Sequence, residues 1–317
     1  MSPPLVPSNL PALVRETFVE ARTSGDLIYY PTQVAVLTVA SLAFQVRYSP
    51  SLARKPKPPK SADPNAKPFN PFESPPPALL VAQLPPCHRL VLNKFAVVPE
   101  HFILATTEFK PQTHLLERCD VDAAYACVQA YRNAGQELFV FFNSGRHSGA
   151  SQPHRHLQLL PVERMKDGLE EVERGSDWTI LADEVCGREN ILPFTVFTSP
   201  ISAEMDADAK HATYLSLYKQ AVRAATANVE AVEEGEAQIS YNLAMTTTCM
   251  ALCPRTAEGR PITSHDGDEV GAIALNGTVL AGTALVKNEA EWHALTTDNT
   301  VLTSVLGGIG VPQTILN

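Results

Sequence analysis

The sequence lacks several features that would assign it to a large functional class. It has no run of about 18 unbroken apolar residues, so we expect no helix that spans a membrane. The first residues, Met-Ser-Pro-Pro, are not a basic segment followed by an apolar one, and we expect no signal peptide. Acidic residues outnumber basic ones by 34 to 25, and the net charge of −9 argues against a general nucleic-acid-binding protein. We therefore expect neither a membrane nor a nucleic acid among the partners.

Paired-cysteine motifs are absent as well. The six cysteines form no C-x-x-C pair, and Cys249 and Cys253, four residues apart, have no second pair to complete a zinc site. Free thiols are typical of a reducing compartment, so we expect a cytoplasmic protein, with the nucleus as the second option.

Three polar side chains interrupt an otherwise apolar, strand-like segment. If residues 153–160 are extended, His154, His156 and Gln158 share one face, and leucines occupy the other. Polar groups in such a strand must be hydrogen-bonded or must do chemistry. This strand and the glycine- and serine-containing loop before it are therefore the candidate functional site.

Three interpretations of this pattern compete. The histidines are satisfied structural residues, or they bind a metal ion, or one of them attacks phosphorus. A metal site is disfavoured because residues 144–158 contain neither an acidic residue nor a cysteine to complete a ligand set. A neutral imidazole nitrogen is a good nucleophile toward phosphorus, and the loop 149–152 offers N–H groups and a hydroxyl to phosphate oxygens. We favour the third interpretation.

The segment resembles the histidine-triad superfamily, in the branch that has Gln in place of the last His. It is most similar to the fungal ATP adenylyltransferases, which are diadenosine tetraphosphate phosphorylases. The matching segments follow the expected order over most of the chain: Leu-Asn-Lys-Phe-Ala-Val-Val-Pro-Glu-His-Phe (92–102), Asn143, Ser-Gly-Ala-Ser-Gln-Pro-His-Arg-His-Leu-Gln (148–158) and, more loosely, residues 281–287.

The resemblance implies roles for individual residues. His156 would be the nucleophile, His154 would fix the geometry and tautomer of the site, and Gln158 would donate an amide N–H to a phosphate oxygen. The implied substrate-binding residues are Lys55, Asn93, Lys94, Asn143, Gly149, Ala150, Ser151, Gln152, Gln158, Asn276, Gly277, Thr278, Thr283 and Lys287. The three lysines of this set would carry phosphates, and Asn93 would contact ribose or base.

Residues 50–77 hold ten of the 26 prolines together with several basic residues. Such a segment cannot form a regular helix or a central strand. It is either a solvated surface arm or a basic arm that orders over a polyphosphate. Lys55 is the best match to the substrate-binding lysine of the family, and Arg54 and Lys57 are the alternatives.

One segment departs from the family pattern. Relatives tend to have Asn-x-Leu-Gly-Phe-Ala-Gly where this chain has Asn-Gly-Thr-Val-Leu-Ala-Gly at residues 276–282. Thr283 replaces a bulkier apolar residue, whereas Asn276 and Lys287 stay in register. We expect any difference in nucleotide preference or rate to arise here.

The implied reaction is a two-step transfer through a covalent nucleotidyl-histidine, which converts diadenosine tetraphosphate and phosphate into ATP and ADP, or the reverse. A divalent cation, Mg²⁺, would be bound mainly through substrate phosphates. One alternative is a sugar-1-phosphate nucleotidyltransferase, but those relatives typically have Pro after each His, where this chain has Arg155 and Leu157. The other is a catalytically silent dinucleotide sensor, which the altered segment 276–283 keeps open.

Apolar periodicity predicts an α+β fold. Predicted helices are residues 8–23, 120–134 and 206–230, and predicted strands are residues 28–30, 34–48, 90–98, 101–109, 138–142, 156–162, 238–247 and 250–253. Residues 255–268 are predicted as a polar loop, and residues 270–275 and 279–286 as a hairpin around Asn276-Gly277.

The resemblance implies a histidine-triad-like antiparallel sheet with packed helices, extended by a C-terminal α+β segment. We expect an N-terminal part over residues 1–175, which contains the arm 50–77 and the catalytic core, and a C-terminal part over residues 188–317. The charge-rich residues 163–187 would connect them, and both parts would pack into one globular unit.

Overall fold

The structure is a computed structural model that describes residues 4–54, 69–226, 229–263 and 267–313. Over these residues the chain forms seven α-helices and 15 strands. The helices are α1 (Leu10–Ser24), α2 (Arg118–Asn133), α3 (Val162–Met165), α4 (Leu181–Glu184), α5 (Ala207–Ala225), α6 (Glu289–Thr297) and α7 (Asn299–Gly307). The strands are β1 (Ile28–Tyr29), β2 (Gln33–Val39), β3 (Leu42–Tyr48), β4 (Leu80–Leu84), β5 (His88–Leu92), β6 (Phe95–Ala96), β7 (Phe102–Thr106), β8 (Leu138–Ser144), β9 (His156–Pro161), β10 (Phe197–Pro200), β11 (Ser240–Met245), β12 (Cys249–Arg255), β13 (Gly259–Thr263), β14 (Glu269–Ala274) and β15 (Thr283–Val286).

An eight-stranded antiparallel sheet in the order β10-β12-β11-β8-β9-β7-β5-β4 forms the centre of the fold. It joins strands from the first and the last third of the chain, and β8 and β9 lie in its middle. Helices α1, α2 and α5 contribute to one hydrophobic core, which also contains Leu157 and Leu159 of β9. Leu160 belongs to a second core with α4, α6, α7 and the small sheet β15-β3-β2. The α+β fold with a large antiparallel sheet is thus confirmed.

Several predicted elements are wrong in detail. Residues 34–48 form the hairpin β2–β3 rather than one strand, because Ala40 and Ser41 both adopt positive φ (50° and 68°) and reverse the chain. Helix α2 begins two residues before the predicted start, because Glu117 rather than Asp120 is its N-cap and the two residues form a capping box. Helix α5 ends at Ala225, five residues before the predicted end.

The predicted strand 90–98 ends early, at Leu92. Strand β5 pairs with β7 as expected, but Phe95 and Ala96 pair with β1 instead. The Asn93 side chain accepts a hydrogen bond from the Phe95 N–H (3.1 Å), which turns the chain away from the sheet. Asn93 and Lys94 therefore lie in a link after the strand and not within it.

The two predictions for residues 255–286 are also wrong. The predicted polar loop contains β13, which pairs with β14, and β15 pairs in parallel with β3. Asn276 does not begin a hairpin turn, since its side chain caps a 3-10 helix over Gly277–Ala281 by accepting from the Thr278 N–H (2.9 Å).

In the described part of the chain, no helix combines the length and the apolar character that crossing a bilayer requires.

Candidate active site

His156, the first residue of β9, is buried, and none of the described residues forms a hydrogen bond with one of its two ring nitrogens. Its Nδ1 lies 2.8 Å from the backbone oxygen of His154. A carbonyl oxygen only accepts hydrogen bonds, so Nδ1 carries the proton and the lone pair lies on Nε2. Burial lowers the pKa of His156 to about 4, although the bond to the His154 carbonyl acts in the opposite direction. The ring is therefore neutral at neutral pH, which is the form that attacks phosphorus.

His154 is held in the opposite tautomer. Its Nε2 lies 3.1 Å from the Glu108 backbone oxygen, which only accepts hydrogen bonds, so Nε2 carries the proton and Nδ1 accepts from the Asn70 side-chain amide (2.9 Å). Its Nε2–H points to the Glu108 backbone oxygen (3.1 Å) and to the Thr106 hydroxyl (2.9 Å). Both ring nitrogens of His154 are thus occupied, and neither has a lone pair available for attack on phosphorus.

Phe72 covers both imidazoles. Its ring centroid lies 4.9 Å from that of His156 and 5.7 Å from that of His154. Phe72 and Asn70 belong to the end of the proline-rich segment 50–77. The functional prediction for that segment rested on its basic residues and did not include these two. An aromatic residue and an amide in a run of prolines were the signal for a buried contact.

Gln112 holds the first residue of β9 at a distance from β8. Its side-chain oxygen accepts from the His156 N–H (2.7 Å), and its amide donates to the backbone oxygens of Asn143 (2.8 Å) and His156 (3.1 Å). Direct pairing of the strands ends at Phe141 and Gln158, and the buried Gln112 side chain takes the place of the next pair. The sheet therefore opens at His156. Nothing in the local sequence pattern indicates this role for Gln112.

Arg155 anchors the histidine strand on the opposite side. Its buried guanidinium donates to Glu117 (2.9 Å) and Asp120 (2.8 Å), and Asp120 also pairs with His88 at 2.7 Å. His88, Cys119 and Asp120 form the one group of potential metal ligands among the described residues. The adjacent Arg155 cation disfavours a metal ion there, and burial raises the pKa of the Cys119 thiol to about 12, which keeps it protonated. This network is a structural anchor.

Gln158 lies on the same sheet face as His156 and is the diagonal neighbour of His101. Residue 103 of β7 pairs with Gln158, and His101 lies two residues before it. The His101 Nδ1 accepts from the Asn93 amide at 3.0 Å, so the proton of the ring is on Nε2, which faces the Gln158 side chain. Burial lowers the pKa of His101 to about 4, so this ring is also neutral.

Asn143 links the histidine strand to the C-terminal segment. Its side-chain oxygen accepts from the Gly277 N–H (2.8 Å) and from the Asn242 amide (2.8 Å). Gly277 permits this approach because a Cβ atom there would lie 2.6 Å from the ring of Phe141. The structure thus brings Asn143 together with Asn276, Gly277 and Thr278, as the resemblance implies.

The loop 149–152 packs against the same segment. Gly149 has a φ of +79°, and a Cβ atom on it would lie 2.8 Å from the Cβ of Asn276. Ala150 and Ser151 are exposed, and Gln152 is half-buried. The glycine of the loop is therefore fixed by close packing, while Ala150 and Ser151 face solvent.

The remaining implied residues are less closely integrated. Lys94 and Lys287 are exposed, and in the described ranges neither side-chain ammonium contacts the residues around His156. Thr283 is buried. Lys55 and Lys57 lie outside the described residues, as does the side chain of Arg54. Their roles stay predictions.

Two family models match most of the chain. The family models that match are the Ap4A phosphorylase N-terminal domain, over residues 2–172, and the ATP adenylyltransferase C-terminal domain, over residues 190–312. The chain is 29% identical to diadenosine 5',5'''-P1,P4-tetraphosphate phosphorylase 2 of Saccharomyces cerevisiae over 331 residues, which cover 98% of this chain and 97% of that protein. It is 27% identical to Protein APA1 of the same organism over 334 residues, or 98% of this chain and 96% of that protein.

Two solved structures extend the similarity to the fold. The crystal structure of yeast Ap4A phosphorylase Apa2 in complex with AMP matches with a TM-score of 0.76 and 26% identity, over 99% of this chain and 100% of that chain. The complex of Apa2 with Ap4A matches with a TM-score of 0.77 and 26% identity, over 98% of this chain and 100% of that chain. Since the first family model alone spans more than half of the sequence, the chain belongs to the Ap4A phosphorylase family, as its histidine strand predicted.

Proposed function

We propose that the protein catalyses the phosphorolysis of diadenosine 5',5'''-P1,P4-tetraphosphate (Ap4A) to ATP and ADP, and the reverse reaction. The observation that carries this proposal is the free Nε2 of a buried, neutral His156, two residues from Gln158 on the same sheet face. The family relationship supplies the substrate, because the curated relative is named for the phosphorolysis of this compound.

In the first half-reaction, His156 Nε2 attacks the α-phosphorus of one adenosine. A P–N bond forms, the bond from that phosphorus to the bridging oxygen breaks, and ATP leaves with the bonding electron pair. The His156 Nδ1–H stays hydrogen-bonded to the His154 carbonyl, which stabilises the positive charge that develops on the ring.

In the second half-reaction, a phosphate oxygen attacks the same phosphorus. The P–N bond breaks, ADP forms, and the neutral His156 is restored. Both half-reactions need N–H groups around the α-phosphate of the transferred adenylyl group. We assign this role to the Gln158 amide, the Asn143 amide and the loop 149–152, which the strand register and the packing of Gly149 support. Phe72 and the burial of His156 limit the access of water, which favours transfer over hydrolysis.

The donor set around His156 is suited to a metal ion that arrives with the substrate. Among the described residues, no carboxylate oxygen accepts a hydrogen bond from His154, His156, Gln158 or Asn143, so the protein side offers amides, hydroxyls and imidazoles. Mg²⁺ prefers phosphate and water oxygens and would be bound through the polyphosphate, whose charge it would reduce.

The cytoplasm is the proposed location. All six cysteines are free thiols, and protein thiols remain reduced in that compartment. The proposed partners are small nucleotides, namely Ap4A, ATP, ADP and phosphate.

A product analysis tests the proposed function. The protein is incubated with Ap4A and Mg²⁺, with and without phosphate, and the nucleotides are separated. ATP and ADP in equal amounts, and sustained turnover only with phosphate, are expected. Sustained turnover without phosphate would identify a hydrolase, and binding without turnover would identify a sensor. Either result would overturn the proposal.

A further inference from the structure

A second buried cation lies behind the site, at the end of β12. Arg255 is only 4% exposed, and in the described part of the chain no carboxylate pairs with it. Its guanidinium donates instead to oxygen atoms from several segments: the side-chain oxygen of Asn242 and the backbone oxygens of Ala257 (3.0 Å), Glu258 (2.9 Å), Leu275 (3.0 Å) and Ile309 (3.2 Å). No local sequence motif indicates a role for Arg255 or Asn242.

The guanidinium determines which way its neighbour points. Arginine only donates hydrogen bonds, so the oxygen of the fully buried Asn242 amide must face Arg255. The Asn242 nitrogen then faces the site, where it donates to the Asn143 side-chain oxygen (2.8 Å) and to the Ser148 backbone oxygen (2.9 Å). No other orientation of Asn242 satisfies these contacts.

The orientation of the Asn242 amide in turn fixes the orientation of the Asn143 amide. Its oxygen accepts from both Asn242 and the Gly277 N–H, so its amide nitrogen points the other way. Asn143 and Asn242 are paired across β8 and β11, and Asn143 is two residues beyond the Phe141–Gln158 pair, level with His156. The Asn143 N–H groups are therefore directed to the side on which the nucleophile lies.

We propose that Arg255 and Asn242 are positioning residues that orient the Asn143 amide as a donor to the α-phosphate of the transferred adenylyl group. The proposal rests on the proposed function, since it concerns the same reaction centre. The hydrogen-bonded chain Arg255–Asn242–Asn143 is fixed before the substrate binds. The Asn143 amide therefore does not have to reorient during the transfer. It also makes the C-terminal part contribute to chemistry at a histidine of the N-terminal part.

Asn242→Asp is the variant that separates orientation from packing. The carboxylate has the same shape and still accepts from Arg255, but it cannot donate to Asn143. The Asn143 oxygen then has no donor at position 242, so the orientation that directs the Asn143 N–H groups to the substrate is no longer fixed. We expect kcat/KM for Ap4A phosphorolysis to fall about 100-fold, comparable to the loss of one oxyanion donor, while the melting temperature stays close to that of the wild type.

A double-mutant cycle with Asn143→Ala provides the decisive readout. If Asn242 acts through Asn143, Asn242→Asp causes less than a roughly twofold further loss once Asn143 is truncated. Two losses that multiply would show independent, structural roles and would overturn the proposal. Wild-type protein that forms no ATP and ADP in the same assay would instead contradict the proposed function, so the two failures are distinguishable.

Arg255→Met and Arg255→Lys keep the test decisive where Asn242→Asp fails to fold. Methionine removes the guanidinium, which can donate hydrogen bonds to Asn242 but cannot accept them. We expect a loss of activity that disappears in the Asn143→Ala background. The lysine still donates and should recover activity to within about tenfold of the wild type. Equal losses of activity for both variants in both backgrounds would contradict the proposal that Arg255 acts through Asn242 and Asn143.

Discussion

The segments 154–158 and 276–287 both belong to the active-site region, and they differ in what determines their structure. In the first, alternation along one strand places His154, His156 and Gln158 on one face, and this placement agrees with the local pattern of the sequence. In the second, Asn276-Gly277 has the local signature of a hairpin turn but forms a helical cap instead. The Gly277 N–H bond to Asn143, more than 130 residues away in sequence, overrides the local preference.

This difference separates chemistry from substrate fit. We expect the histidine strand to contain the group that reacts, and its ring nitrogens are oriented by partners outside the 276–287 segment. The 276–287 segment approaches it through glycine contacts and one amide, and its two ends differ, since Gly277 is packed tightly whereas Lys287 is exposed. Substitutions in the strand should abolish the reaction, whereas substitutions in the segment should reduce it to different extents.

His156→Ala should have the largest effect. Loss of the nucleophile removes both half-reactions, and we expect the rate of ATP and ADP formation to fall by about 10⁴-fold or more. Steady-state phosphorolysis with radiolabelled Ap4A measures it. His293→Ala is the matched control, because His293 is exposed and lies on α6. A His156 variant with more than about 1% of wild-type turnover would contradict the mechanism.

Gly277→Ala tests the tight end of the second segment. The added Cβ would lie 2.6 Å from the Phe141 ring and 3.0 Å from the Asn143 oxygen. We expect a decrease of about 1–3 kcal/mol in the free energy of unfolding and a lower kcat/KM, measured by denaturant titration and phosphorolysis assays. Gly307→Ala is the control, since its nearest neighbour atom would be at 3.6 Å. Equal stability of the two variants would argue against close packing at Gly277.

The pH dependence tests the burial of the nucleophile. Because the folded pKa of His156 is lowered from 6.5 to about 4, the neutral ring persists in the native protein well below pH 6.5. The acidic limb of kcat/KM for Ap4A, which reports the free enzyme, should fall below about pH 5. The unfolded chain binds this proton first as the pH falls, so the contribution of His156 to stability is complete above pH 6.5 and decreases toward pH 4. An acidic limb near pH 6.5 would show an unperturbed imidazole.

Gln158→His should have the smallest effect on total turnover and should change the products. An imidazolium at this position can protonate a leaving group, which the amide cannot. We expect the ratio of AMP to ADP to rise as water competes better with phosphate, as measured by chromatography at fixed phosphate concentration. An unchanged ratio would mean that Gln158 does not select the acceptor.

Much of the histidine strand was predictable, because strand alternation and the order of the motifs are local features. His154, His156 and Gln158 were found in this way, as were the apolar stripes of α1 and α5. Gln112 and Asn242 were not, since each acts on a partner that is distant in sequence. Arg255 was not, since it lies on the strand next to Asn242 and reaches Asn143 only through that side chain. The hairpin in residues 34–48 was missed because Ala40 and Ser41 lack the glycine or asparagine that usually marks positive φ.

The most direct measurement of the central claim is the identification of the covalent intermediate. The protein is mixed with Ap4A and Mg²⁺ in the absence of phosphate, quenched in alkali, which preserves a phosphoramidate, and mapped by mass spectrometry. The account predicts one adenylyl group on His156, with one equivalent of ATP released, and its discharge as ADP when phosphate is added. Turnover without an adduct at His156, or an adduct on another residue, would contradict it.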